Sequence, residues 1–240
     1  MDLWLIRTDQ PAPVRAAMRE LLDAEELARA DAATDPARGH RFTVAHGAAR
    51  EIAGRYAGRP GAALSWRRGP HGKPELVGVD GGLAVNLSGC EELALFAVAR
   101  GREVGVDVER LSSPTAAVRL ATRYFHPAEA AHVAAGGPAP GGEVSDGADA
   151  AAGEVSVVED TAAGRFARLW TRKEAYVKAY GARLADGLGV PVGGAGQFLV
   201  TGRIGLCLVE DFAVPGPFRA AVALRGAGPY RTRGYEWPDR

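Results

Sequence analysis

Gly105-Val106-Asp107-Val108-Glu109 is the stretch around which the rest of this chain is read. It sits in a short apolar run and reads as a β-strand. Alternate side chains of a strand point to the same face, so Asp107 and Glu109 project together, with Val106 and Val108 opposite. Two carboxylates ~4 Å apart at an effective dielectric of ~20 repel by roughly 4 kcal/mol. Such a pair wants a cation, and hard oxygen ligands favour Mg²⁺ or Ca²⁺. An isolated Asp-x-Glu more often marks a solvated edge strand, so the reading depends on what accompanies it.

The chain has 240 residues, 47% of them apolar and 24% charged, with a formal net charge of zero. That is ample length for a buried core. There is no global basic field of the kind that serves nucleic acid or acidic membranes. Met1-Asp2-Leu3-Trp4-Leu5-Ile6-Arg7 lacks the basic start and long apolar run of a signal peptide. Apolar runs such as Leu93 to Ala99 fall far short of the ~20 residues that cross a bilayer. Cys90 and Cys207 are the two cysteines, which fits a reducing cytoplasm and no disulfide framework. Of 29 basic residues only Lys73, Lys173 and Lys178 are lysine. Lysine is a compact point charge and arginine a wide fork, so these positions stand out in an arginine-preferring chain.

In order, Leu3 to Thr8 reads as a strand, and Asp23 as the N-cap of a helix over Ala24 to Ala32. Asp35-Pro36 opens a longer helix to about Tyr56, whose Arg38, Arg41, Arg50 and Arg55 read as a cationic surface. A strand over Leu64 to Arg68 leads into the turn Gly69-Pro70-His71-Gly72-Lys73-Pro74. Leu83 to Ser88 and Leu93 to Arg100 form a hairpin before the acidic strand. Helices follow over Ala116 to Arg123 and from Pro127 to about Ala135. Gly136 to Ala163 keeps no periodicity and is expected to be a flexible surface insertion.

Order is expected again at Arg165, in a helix closed by the C-cap Gly181. Trp170, Glu174 and Lys178, spaced i, i+4, i+8, form one stripe on it. Gln197 to Thr201, Ile204 to Phe212, Phe218 to Arg225 and Tyr230 to Trp237 read as strands. The layout is α+β in two halves of comparable content, residues 1–110 and 111–240.

Three segments together, Gly-Val-Asp-Val-Glu at 105–109, Phe-His-Pro-x-Glu at 125–129 and Trp-Thr-Arg-Lys-Glu-Ala-Tyr-x-Lys at 170–178, resemble the Sfp-type (surfactin synthetase-activating) 4′-phosphopantetheinyl transferases. Gly-Lys-Pro at 72–74 and Asn-Leu-Ser at 86–88 add to the likeness, which runs nearly end to end along the chain. The resemblance implies a pseudo-dimer of two similar α+β halves with the active site between them. It implies an enzyme that moves the phosphopantetheine arm of coenzyme A onto a serine of an apo acyl or peptidyl carrier protein, releasing adenosine 3′,5′-bisphosphate. Such carriers serve fatty acid, polyketide or nonribosomal peptide synthesis. By motif, Asp107, Glu109 and Glu174 become the acids around Mg²⁺, with Asp107, Glu174 and Lys178 catalytic. Arg41, Lys73, Ser88 and Lys178 line the coenzyme site, and Lys173 faces the leaving group or the carrier. One Mg²⁺-bound water, or Glu174 itself, would accept the serine proton. Two halves in one chain make a monomer sufficient, and neither nucleic acid nor membrane is an expected partner.

One departure stands out. The family usually carries His after the Asn-x-Ser serine, where this chain has Gly89 followed by Cys90. An uncompensated loss would remove one charge-assisted hydrogen bond to the coenzyme, worth ~1.5–3 kcal/mol. His71, beside Lys73, is the expected substitute. Two other functions fit the same residues: a coenzyme- or carrier-docking module without catalysis, and a metal-dependent phosphohydrolase that uses water.

Overall fold

The computed structural model describes residues 1–69, 71–79, 81–136 and 161–238. Its first sheet has the order β10-β1-β5-β4, built from β1 (Asp2–Arg7), β4 (Leu83–Cys90), β5 (Leu93–Arg100) and β10 (Arg233–Trp237). Its second has the order β6-β9-β8-β7, from β6 (Val104–Arg110), β7 (Phe198–Gly202), β8 (Gly205–Phe212) and β9 (Phe218–Arg225). Among these strands of the described residues, β1 and β10 are the pair that runs parallel. A small hairpin, β2 (Ser65–Arg68) with β3 (Pro74–Val77), stands apart. The short β3 opens on a proline and went unread in the sequence.

The two sheets pack face to face, and each carries a long helix on its outer side. Leu3, Leu5, Leu95, Ala97, Val104, Val106, Val108, Ala220 and Val222 fill the space between them. The alternate residues Trp4, Ile6, Phe96 and Val98 face Val44, Ala48 and Ile52 of α3 (Pro36–Ala57). Ala221 and Ala223 of the second sheet face Tyr176, Val177 and Ala179 of α6 (Ala162–Tyr180). Strands covered on both faces read as nearly unbroken apolar runs, as β5 does with every residue but Arg100 buried.

Each sheet uses one local plan: a strand, a long helix, then later strands, β4 and β5 in the first and β7, β8 and β9 in the second. The first strand pairs antiparallel with the last (β1 with β5, β6 with β9), and the last with the one before it. β6 thus belongs with β7–β9, while β10 returns to pair with β1.

The helix ends follow local chemistry. Asp23 and Glu26 form a reciprocal capping box at α2 (Ala24–Asp31). Asp35 caps α3 ahead of Pro36, and Gly58 closes it in a left-handed conformation at φ 64°. α4 (Pro114–Tyr124) and α5 (Pro127–Ala134) both begin on proline. α6 starts three residues earlier than the sequence reading, because Thr161 caps it by accepting from the Gly164 amide at 3.0 Å. Its first residues, Ala162-Ala163-Gly164, look in sequence like more of the Ala/Gly-rich segment before them. The rest of the expected insertion, residues 137–160, lies outside the described residues.

Arg50 corrects the reading of α3 as carrying four surface arginines. It is 1% exposed and is tied to both Asp23 and Glu26. It also donates to the carbonyl of Leu64 at 3.0 Å. It joins α2, α3 and the start of β2, leaving no solvated role for its charge.

Candidate active site

Gly105 determines how α6 meets β6. A Cβ there would lie 2.1 Å from the Ala175 carbonyl oxygen and 2.3 Å from the Ala179 nitrogen. The helix backbone therefore rests directly on the strand, which only glycine permits. Residues adjoining those contact points, Glu174 and Lys178, are delivered to the acidic face of β6. Asp107 is 2% exposed, and its Oδ1 accepts from Lys178 Nζ at 2.5 Å and from Ser88 Oγ at 2.8 Å. Lys178 also reaches Ser88 Oγ at 3.1 Å. Asn86, on the same face of β4, accepts from the Val106 amide at 2.8 Å, so β4 is pinned to β6 beside the cluster.

Three acids feel one another here. Burial first, then the Asp107 charge, pushes the Glu109 carboxyl up to about 7; Lys178 partly offsets this and Glu174 adds to it. Burial and Asp107 also raise Glu174, again against Lys178. Burial opposes the Lys178 charge, but Asp107, Glu174 and Glu109 together outweigh it and raise its pKa. Cys90 adds a thiol, 3.6 Å from Glu109 Oε2 and held protonated by its own burial.

Among the described residues, no three His, Cys, Asp or Glu side chains converge closely enough to hold a metal ion. Lys178 and Ser88 occupy one oxygen of Asp107, Oδ1. The other oxygen, Oδ2, is buried without a hydrogen-bond partner. A buried, partnerless carboxylate oxygen is costly unless a donor or cation joins it. With Glu109 and Glu174 interacting electrostatically with the same carboxylate, the donor set is one of hard oxygens suited to Mg²⁺.

The Glu109 shift makes a testable statement about the metal-free protein. A carboxyl raised from 4.5 to about 7 binds more protons folded than unfolded in that window. Stability therefore falls as pH rises from about 4.5 to 7. Glu109 is half-buried, so solvent screening holds the effect to ~1 kcal/mol. Glu109→Gln is expected to raise the metal-free melting temperature by ~2–4 °C at pH 8 and to leave it unchanged at pH 4. An equal shift at both pH values would show that Glu109 does not carry the repulsion.

A cavity of about 650 Å³ opens beside this cluster. Arg38, Arg41, Phe42, Ala45, His46 and Ala49 of α3 form one wall, and Trp66–Arg68 of β2 another. Its floor includes Leu87 and Gly89 of β4. β4 thus turns Leu87 and Gly89 to the cavity and Ser88, on its opposite face, to the acid cluster, so this edge strand stands between the two. This size and mix of aromatic and charged groups suits a small-molecule ligand.

The residues expected at a coenzyme site thus part company. Arg41 lines the cavity, while Ser88 and Lys178 sit at Asp107. Lys73 is nearly buried; its Nζ donates to Glu103 at 2.5 Å and to the Ala179 carbonyl at 3.1 Å, docking the β2–β3 turn on the C-terminal end of α6. His71 is exposed and does not line the cavity. Lys173 faces neither leaving group nor carrier: it is fully buried, 2.7 Å from Glu129 Oε2 and 2.5 Å from the Val190 carbonyl. Its position about 100° from the Glu174 stripe turns it into the packed side of α6. The sequence reading missed Phe42, His46 and Trp66 in the cavity. The spacing of 38, 41, 42, 45, 46 and 49 along one face of α3 was the available signal.

A family model for the 4′-phosphopantetheinyl transferase superfamily matches residues 103–193, from β6 through α6. HetI, a 4′-phosphopantetheinyl transferase of Nostoc sp., is 32% identical over 187 residues, covering 77% of this chain and 70% of its own. The Synechocystis sp. protein slr0495, which carries a provisional name of the same kind, is 27% identical over 188 residues, 78% of this chain and 67% of its own. The chain belongs to the 4′-phosphopantetheinyl transferase superfamily, a family of enzymes. No helix among the described residues is long and apolar enough to cross a membrane.

Proposed function

We propose that this protein transfers the 4′-phosphopantetheine arm of coenzyme A to a serine of an apo acyl or peptidyl carrier protein, with Mg²⁺, releasing adenosine 3′,5′-bisphosphate. The observation that carries this is the buried Asp107, bonded to Lys178 and Ser88 with its second oxygen unpartnered, in the electrostatic company of Glu109 and Glu174. Asp107, Glu109 and Glu174 would hold the metal. A metal bound there would supply charge neutralisation at the pyrophosphate. Lys178 adds a cation at the same place. The coenzyme occupies the cavity between α3 and β2, with Arg41 on a phosphate.

In the reaction the serine Oγ bonds to the pantetheine-side phosphorus as the bridging P–O bond breaks. Its electron pair leaves with adenosine 3′,5′-bisphosphate. Glu174, which faces the same carboxylate cluster, would take the serine proton. Because the plan repeated in the two sheets supports a pseudo-twofold relation and β6 pairs with β9, we place the junction of the halves just before β6 rather than near residue 110, with the active site between the halves. One chain is then a complete unit, working in the cytoplasm.

The direct test is mass spectrometry of several apo carrier proteins incubated with the enzyme, coenzyme A and Mg²⁺. The expected result is a gain of the phosphopantetheine mass on at least one, dependent on divalent metal. Release of the bisphosphate without any carrier would instead mark a phosphohydrolase. Coenzyme binding with neither product would mark a docking module.

A further inference from the structure

The cavity beside the acid cluster holds more positive charge than the family motifs account for. Its carboxylates are engaged: Asp23 and Glu26 with Arg50, Glu25 with Arg68 at 2.7 Å, Glu91 with Arg110, and Asp35 as the cap of α3. Arg38 and Arg41, by contrast, have no ion-pair or hydrogen-bond partner among the described residues. Arg29 of α2 also lines the cavity, its pKa lowered first by burial and then by Arg68, against Glu25 and Glu26. Arg38 and Arg41 are therefore the lining cations left to meet a ligand.

His46 is the best-placed group to meet one. Its ring stacks on Phe42, with centroids 3.9 Å apart at 21°. Its Nδ1 lies 3.1 Å from Glu26 Oε1. A carboxylate only accepts, so Nδ1 carries the hydrogen and the ring orientation is set. Nε2 then has no partner among the described residues, on a side chain that lines the cavity. Glu26 is itself anchored by Arg50 at 2.5 Å, so the imidazole is held by a rigid support.

We propose that His46, with Arg38 on the same wall of the cavity, binds a phosphate of the adenosine coenzyme and supplies the donor that Gly89 cannot. The assignment rests on the cavity being the coenzyme site. His46 is a binding residue, oriented by Glu26, and takes no part in bond making. With Nδ1–H on Glu26, a hydrogen bond from Nε2 to a phosphate oxygen requires the doubly protonated ring; it is then charge-assisted, and its loss weakens binding by about ten- to a hundredfold. A 3′-phosphate and the pyrophosphate offer the same chemistry, and the choice of ligands separates them.

The experiment is calorimetric titration of the wild type and His46→Gln with coenzyme A, dephospho-coenzyme A and adenosine 3′,5′-bisphosphate. Weakening for coenzyme A but not for the dephospho form places His46 on the 3′-phosphate; equal weakening for both places it on the pyrophosphate. Either outcome supports the inference. A second variant separates a lost contact from a disturbed fold. Gly89 borders the same cavity, and a Cβ there would meet nothing nearer than Ala94 Cβ at 3.6 Å. Gly89→His in the His46→Gln background is expected to regain affinity. Wild-type binding with unchanged affinity in His46→Gln overturns the assignment, as does weakening that the double variant does not recover. Failure of the wild type to bind any of the three ligands overturns the coenzyme reading itself, and the assignment with it.

Discussion

Glu174→Gln is expected to abolish carrier modification, by on the order of 10²–10⁴-fold in turnover, while leaving the protein folded. The argument starts from what Glu174 does not do. It makes no hydrogen bond or ion pair with another described residue, and it is only half-buried on α6. Removing its charge relieves repulsion from Asp107 and breaks no structural contact. The Ala175 and Ala179 backbone still rests on Gly105, so Lys178 keeps its place at Asp107. What is lost is a carboxylate able to accept the serine proton and one hard oxygen for the metal. Turnover measured by mass gain on an apo carrier, alongside thermal unfolding, separates these effects. A fall in turnover with an unchanged or higher melting temperature is the expected result. Turnover at the wild-type level would remove Glu174 from the chemistry.

The parts of this site that could be read in sequence are those set by local periodicity. Asp107 and Glu109 share a strand face, and Glu174 and Lys178 share a helix stripe, because spacing alone dictates both. Gly181 closes α6 at φ 57°, as a glycine after a helical run predicts. What escaped was decided by partners distant in the chain. Arg50 looked like its solvated neighbours on α3 until Asp23 and Glu26 closed around it. Lys73 was read as a phosphate contact, yet its nearest acceptors are Glu103 and a carbonyl 106 residues away. His71 seemed near the site because it adjoins Lys73, whereas His46 reaches the cavity from a helix. Periodicity gives the direction of a side chain, and tertiary contact gives its occupation.

Lys173 makes the same point with the largest consequence for stability. Its ammonium is fully buried between Glu129 Oε2, the Val190 carbonyl and the face of Phe125, 4.9 Å from that ring's centroid. Glu129 is in turn held by the Val192 amide at 2.7 Å. The Phe-His-Pro-x-Glu motif and the helix motif are therefore two sides of one structural pair, 44 residues apart. Burial lowers the Lys173 pKa, and Glu129 works against that shift. Glu129→Ala leaves a buried charge without its counter-ion, at a cost of ~3–5 kcal/mol. For a chain of this size that is a fall of roughly 10 °C or more in melting temperature. The variant should also recover as pH rises. Its folded state binds the Lys173 proton less tightly than its unfolded state, so unfolding free energy increases with pH up to the ordinary lysine value of 10.5. Replacing both partners, Lys173→Met with Glu129→Leu, removes the uncompensated charge and is expected to restore most of the stability. That double variant should still modify its carrier, because neither side chain reaches the acid cluster. Denaturant unfolding at two pH values, with the carrier assay on the double variant, tests each step. A loss below ~1 kcal/mol in Glu129→Ala would mean that the pair is not the anchor of α6. An inactive but stable double variant would return Lys173 to the reacting coenzyme.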